Sequence, residues 1–330
     1  MIITKIASDR HYQNKASWQI VYEWEDEISN SLDIPIKDSP NPNKVIPRKL
    51  RVLENKLFKG NLIKFKNKVF FNKDKFLYFE MFPKRYTSFS NSQKYIPIIL
   101  DFFEREKLDL IMDNYAQCDF LLITNLEVFN LLKEHNIRKE IIHFPLSIPS
   151  IYRLNENDNF AKKFDLVLVG RQNPILLNFL REYEKANPTI KYFYRVKKNG
   201  QFYYQSNQKD IVRKVSSRQE YINLIREAKV AFYSTPGIDG GEQRTNGFNP
   251  VTPRFFELLA AGCHIIARYP KNADTDFFSL ESICSSASSY NNFAKQLNTT
   301  LASSPPIKRN AKYLQAHYMS KRVKILKELI

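Results

Sequence analysis

Short apolar runs alternate along this chain with stretches whose apolar residues recur every three or four positions. Residues 2–7 read as a first strand. In 17–31 the spacing of Trp18, Val21, Tyr22 and Ile28 predicts an amphipathic helix, with Glu23, Glu25, Asp26 and Glu27 on a solvated face. Strand-like runs follow at 76–82, 95–102, 119–124 and 140–144, and helical patterns lie between the later ones at 104–113 and 126–135. Thr124 and Glu127 have the Ser/Thr-x-x-Glu spacing of a capping box ahead of the second of these helices. Such alternation predicts a parallel sheet covered on both faces.

Residues 145–162 break the pattern with Pro145, Pro149 and a polar run, and read as a linker between two domains. The alternation then restarts. Residues 164–169 are apolar save for Asp165, as expected for a strand buried on both faces. Asn173 followed by Pro174 is a favoured helix start, and the pattern carries that helix to about Lys185. A strand is expected at 190–195. Ser217 and Glu220 form a second capping-box pattern, opening a helix to Ala228. A strand at 230–234, a long loop at 235–251, a helix from Pro253 capped by Thr252, and a strand at 263–268 complete the series. The tail, 309–330, is basic and helical in pattern.

Composition narrows the class. A chain of 330 residues with 43% hydrophobic and 14% aromatic residues can bury two cores. Only 8 glycines argue against a collagen-like, linker-like or glycine-rich phosphate-loop design. The net charge of +17 favours anionic partners, although a Lys- and Asn-rich gene would give the same excess. Cys118, Cys263 and Cys284 are widely spaced, form no C-x-x-C pair and read as core thiols. The first residues lack a signal-peptide apolar core, and no apolar run nears the ~18 residues of a membrane span. The expectation is a cytoplasmic protein, with room for peripheral contact with the inner face of the membrane.

In an open parallel sheet, ligands bind outside the carboxyl ends of the strands. That rule selects 170–173, 235–251 and the helix start at Pro253, which carry Arg171, Arg244 and Arg254. Arginines beside helix N-termini suit a diphosphate. Glu257, one turn into the last helix, could accept hydrogen bonds from the hydroxyls of a ribose, or could simply complement the helix dipole.

Residues 164–171, FDLVLVGR, resemble the strand and turn that open the C-terminal domain of GT-B glycosyltransferases. Residues 252–267, TPRFFELLAAGCHIIA, resemble their donor-site helix and following strand. The resemblance extends over about 164–270. It implies an α/β fold of two Rossmann-like domains with parallel sheets facing across a cleft. It assigns 1–150 to the acceptor, 160–310 to a nucleotide-sugar donor, and 311–330 to a C-terminal helix that could pack back on the first domain. It further implies that Glu257 binds the nucleotide ribose, while Gly170, Arg171, Thr252, Pro253 and Arg254 meet the diphosphate. Arg244 joins them from the rim argument alone.

Two family features are missing. The position eight before Glu257 is Asn249 rather than glutamate, and Ile175, Leu176 and Leu177 stand where many retaining members place a lysine. Both departures lean toward an inverting transfer. Such a transfer needs a base for the acceptor hydroxyl. Asp9 and His11 after the first strand, and Asp101 at the end of the 95–102 run, are the candidates, each with an ordinary reading as loop or capping residue. No histidine pair has metal-ligand spacing and no Asp-x-Asp metal motif lies near a strand end, so the expected reaction needs no metal and no cofactor beyond the nucleotide sugar.

Residues 46–77 are dense in charge, with ten Lys or Arg from Arg48 to Lys75 against Glu54 and Asp74. They read as solvated surface, as a patch for anionic lipid, or as a nucleic-acid groove. The leading expectation is a hexosyltransferase-like enzyme of lipopolysaccharide or capsule assembly acting on a glycan or lipid-linked acceptor. A DNA-modifying glycosyltransferase and a non-catalytic basic protein binding nucleic acid or membrane are the alternatives, with nucleic acid the less favoured partner.

Overall fold

A computed structural model describes residues 3–39, 75–83, 94–106, 108–135, 139–198 and 201–329. The basic tract 46–77 therefore lies outside the described residues except for 75–77. The chain divides into two compact units, one of residues 1–149 with 319–330 and the other of residues 150–318.

Among the described residues the first unit holds six strands: β1 (Ile3–Ser8), β2 (Ile36–Asp38), β3 (Lys75–Glu80), β4 (Tyr95–Ile99), β5 (Phe120–Ile123) and β6 (Glu140–His143). They pair in the order β2-β1-β3-β4-β5-β6, every pairing parallel. Helices α1 (Ala16–Leu32), α2 (Asp109–Asn114) and α3 (Leu126–Glu134) come from the connections. The core joins Ile6, Leu77, Ile98 and Leu122 of the sheet to Val21, Trp24 and Ile28 of α1.

The second unit holds β7 (Phe164–Leu168), β8 (Tyr192–Lys198), β9 (Gln201–Ser206), β10 (Val212–Lys214), β11 (Ala228–Ser234) and β12 (His264–Arg268). Its order is β10-β9-β8-β7-β11-β12. Four of these strands are parallel, but β9 and β10 are added antiparallel at one edge, so this sheet is mixed rather than wholly parallel. Helices α4 (Pro174–Ala186), α5 (Arg218–Arg226), α6 (Pro253–Ala260), α7 (Ala273–Phe277), α8 (Tyr290–Ala302) and α9 (Ile307–Leu314) belong to it. Leu166, Leu168, Val230, Phe232 and Ile266 meet Leu176, Leu180, Phe293 and Leu297 in its core. A last helix, α10 (Met319–Glu328), returns to the first unit. It is held there by Met319 N–H donating to Ile148 O at 2.9 Å and by Arg322 Nε donating to Pro145 O at 2.8 Å.

Several local expectations need correction. The Thr124–Glu127 capping box does not form: Asn125 caps α3 by accepting from Val128 N–H, while the Thr124 hydroxyl donates to Ile99 O and Leu100 O. The helix expected at 104–113 is the short α2, starting at Asp109. Thr252 sits at the N-cap of α6 without a side-chain capping bond. Glu25 is not on a solvated face; it is 1% exposed. The Asn173 cap and the Ser217–Glu220 box are both present. All three cysteines are buried thiols.

Candidate functional site

Within the second sheet, chain order reverses at β7, which has β8 on one side and β11 on the other. The crevice beyond the carboxyl ends of β7 and β11 is where a doubly wound sheet accepts ligands. Gly170 follows β7, the 235–251 loop follows β11, and α6 begins where that loop ends.

Gly170 and Arg254 are fitted to one another. Gly170 has φ +70, in the left-handed region, and a Cβ there would lie 2.2 Å from Arg254 Nη2 and 2.3 Å from its Cζ. The guanidinium thus lies against bare backbone, and its Nη1 donates to Arg171 O at 3.3 Å. Pro253 takes the first helical position of α6. The Tyr233 hydroxyl accepts from Thr252 N–H at 3.0 Å, fixing the loop as it enters the helix.

The remaining rim cations are met by carboxylates. Glu242 accepts from Arg171 Nη1 at 2.9 Å and, through its other oxygen, from Arg244 Nε. Asp239, itself left-handed at φ 54, accepts from Arg268 Nε at 2.6 Å, Arg268 Nη2 at 2.7 Å and Asn173 Nδ2 at 2.7 Å. The Arg268 hydrogen bond holds the Asp239 carboxyl below its usual range. Glu257 accepts from Arg218 Nη2 at 2.7 Å, with side chains only 7% and 12% exposed respectively. Burial, then the charge of Glu257, pushes the Tyr221 hydroxyl beside this pair upward.

Of the residues singled out from sequence, Gly170, Arg171 and Arg254 are in mutual contact, and Arg171 and Arg244 share one carboxylate. Thr252, Pro253, Arg254 and Glu257 share α6 and its cap. Sequence reasoning missed Arg218, Asp239, Glu242 and Arg268. Arg268 ends β12, so the strand-end rule could have found it; Asp239 and Glu242 lie in the loop that the rule did flag. Beside Gly170, Leu168, Leu177, Tyr192 and Tyr194 line an open cavity flanked by Arg171 and Arg195.

In the first unit the candidates lie after β1 and β4. Asp9 accepts from the Ser39 hydroxyl at one carboxylate oxygen and from the Tyr78 hydroxyl at 3.1 Å at the other. His11 is exposed, and its Nδ1 lies 2.5 Å from Asp38 Oδ1. Asp101 follows β4, two places from β1 in the sheet; it is half-buried, and its N–H donates to Met81 O at 2.9 Å. The structure therefore joins Asp9 and His11 to the segment Asp38–Ser39 and places Asp101 on a different strand end. Beneath them, Glu25 accepts from the Ser8 hydroxyl at 2.5 Å and from Arg10 Nη2 at 3.1 Å, and burial raises its carboxyl to about 7.

Residues 171–327 match a family model described as glycosyl transferase-like. Over these residues, just under half of the chain, it is similar to that family, and its fold is GT-B. The resemblance carried by residues 164–171 and 252–267 is thereby borne out. Two solved structures share this fold. A putative UDP-N-acetylglucosamine 2-epimerase from Listeria monocytogenes is similar at 9% identity, with 98% of this chain and 94% of that one covered and a TM-score of 0.52. A UDP-forming trehalose-phosphate synthase from Burkholderia vietnamiensis gives 8% identity, 97% and 84% coverage and a TM-score of 0.51. The pneumococcal O-GlcNAc transferase GtfA gives 12% identity over 82% of this chain at a TM-score of 0.48; the chain spans 59% of its length. No curated protein matches the sequence. Among the described residues, no helix is long and apolar enough to cross a membrane.

Proposed function

We propose that this protein is a glycosyltransferase that binds a nucleotide-sugar donor on the second unit and transfers the sugar to a hydroxyl of a glycan or lipid-linked acceptor. The observation that carries the reading is the Gly170–Arg254 fit at the N-terminus of α6, with Glu257 one turn further along the same helix. A guanidinium beside helix N–H groups stabilises diphosphate charge as it develops on the leaving group. Arg218 holds one oxygen of Glu257, so the carboxylate is presented in a fixed position to a ribose diol.

The acceptor base is assigned to His11. Asp38 at 2.5 Å from Nδ1 selects the tautomer that leaves Nε2 as proton acceptor, the arrangement a general base requires. In Asp9, by contrast, both carboxylate oxygens already accept hydrogen bonds. Asn249 in place of the first family glutamate supports an inverting course. The transfer is proposed to run without a metal, the arginines supplying the positive charge. A surface-polysaccharide acceptor such as lipopolysaccharide or capsule precursor, reached at an anionic membrane face through residues 46–77, completes the proposal.

The test is thermal unfolding with UDP, GDP, ADP, dTDP and CMP at one salt concentration. A ligand at a hundred times its Kd stabilises the native state by about 2.7 kcal/mol. A shift with one nucleotide that disappears in Glu257→Ala supports the donor site; no shift with any nucleotide in a folded sample removes it. Turnover of the matching nucleotide sugar then separates transfer, which releases the nucleotide and builds a glycoside, from epimerisation, which changes the sugar and is the activity named for the Listeria neighbour.

A further inference from the structure

We propose that Glu242 is an internal stand-in for the donor's diphosphate and sets the affinity of the rim for anions. The proposal rests on the donor-site reading of this rim and adds to it a residue that competes with the ligand. Arg171 and Arg244 are more than half exposed to solvent, at 58% and 55%, yet both guanidiniums point at one carboxylate that is itself 15% exposed. Each oxygen of Glu242 takes one arginine. Two phosphate oxygens make the same two-point demand on a pair of guanidiniums, because carboxylate and phosphate match the planar donor fork alike.

The other carboxylate of this loop has a different place. Asp239 accepts three hydrogen bonds, two from Arg268 and one from the Asn173 side chain, and so anchors the loop to β12 and to the cap of α4. Glu242 follows three residues later, across Gly240 at φ +69 and Gly241. No atom lies within 4 Å of where a Gly240 Cβ would be, so the backbone there is unpacked on that side. The geometry gives a backbone held at Asp239 and again at Glu242, whose carbonyl accepts from Thr245 N–H and Oγ1, and a carboxylate whose side chain can turn away from the arginines when an anion arrives. A diphosphate that binds Arg171 and Arg244 must displace Glu242 or sit against its charge, and either one lowers affinity.

Glu242→Gln keeps the length and one acceptor oxygen while removing the charge. One unit of charge about 4 Å from a bound phosphate corresponds to about a fivefold change in affinity at the dielectric of water and about a thousandfold at that of a protein surface, and a side chain that can turn away from the ligand is expected near the lower end, about tenfold. The measurement is titration calorimetry of the full chain with inorganic pyrophosphate, UDP and uridine, at two salt concentrations, for the wild type and Glu242→Gln. The expected result is pyrophosphate binding about tenfold tighter in the variant, with uridine unchanged and the gain shrinking at high salt. Weaker pyrophosphate binding in the variant would mean that Glu242 orients the arginines for the ligand, and the proposal is overturned. Equal binding, or none in either form, overturns it as well. Thermal unfolding of the variant shows that it is folded. The pyrophosphate arm needs no nucleotide, so tighter pyrophosphate binding alongside an absent UDP response sinks the donor reading while leaving Glu242 as an anion competitor. UDP binding with no effect of Glu242→Gln does the reverse.

Discussion

Arg218 Nη2 donates to Glu257 Oε1 at 2.7 Å, joining the first residue of α5 to the middle of α6 in a pair that is almost closed to solvent. The guanidinium also lies 5.6 Å from the centroid of the Tyr152 ring. Removing one member of a buried pair leaves the other charge uncompensated. Arg218→Ala is expected to cost about 3 kcal/mol in urea unfolding. It should also weaken the discrimination between a ribonucleoside diphosphate and its 2′-deoxy analogue, because Glu257 is no longer held toward the diol. Loss of stability with discrimination intact would leave Arg218 a purely structural residue.

Gly170 gives a second prediction. Alanine there must adopt φ +70, a strain of about 1 kcal/mol, and its Cβ would occupy the place of the Arg254 guanidinium. Gly170→Ala should weaken diphosphate binding roughly tenfold with only a small fall in Tm. Calorimetry with the responding nucleoside diphosphate checks this. Unchanged affinity would mean that Arg254 does not contact the ligand.

Proton abstraction is tested at His11. His11→Asn should lower kcat by about 10²–10⁴ while leaving nucleotide Kd unaltered, since the base acts on the acceptor alone. Asp38→Asn should give a smaller loss, because it removes the group that orients the ring. Equal activity of His11→Asn and wild type would move the search for the base to Asp9 and Asp101.

Glu25 predicts a pH dependence of stability. Its folded carboxyl is raised from 4.5 to about 7, chiefly by burial, so between these values the folded state binds more protons than the unfolded state. Stability is then complete at low pH and falls as pH rises through about 7, by roughly 3 kcal/mol in all. Glu25→Gln keeps an acceptor for Ser8 and Arg10 and removes the titration. Its advantage in Tm over the wild type should grow from pH 5 to pH 8. A constant difference across that range would show that Glu25 does not titrate there.

Much of the second unit was legible because its signals are local. Asn173 with Pro174 fixes the start of α4 within three residues, and Ser217 with Glu220 fixes that of α5. The run at 164–169, apolar save for Asp165, identified β7. The edge strands β9 (QFYYQS) and β10 (VRK) escaped because they are short and interrupted by polar residues, so neither shows an apolar alternation. Glu25 was misplaced although the signal existed: it lies four after Val21 and three before Ile28, on the buried stripe of α1. Residue type overrode position in that reading, and the hydrogen bonds from Ser8 and Arg10 that make its burial tolerable come from outside the helix.

The sequence by itself determined the alternation of strands and helices, the caps at Asn173 and Ser217, and the helix that carries Arg254 and Glu257, because periodicity and capping act within a few residues. Only the tertiary structure decided which charges meet. Arg218 and Glu257 are 39 residues apart, and Arg171 reaches Glu242, which already pairs with Arg244 two residues on, only because β7 and β11 are neighbours in the sheet. Ion pairing falls off over a few ångströms and carries no mark in the local pattern, so strand order, not spacing along the chain, chooses the partners.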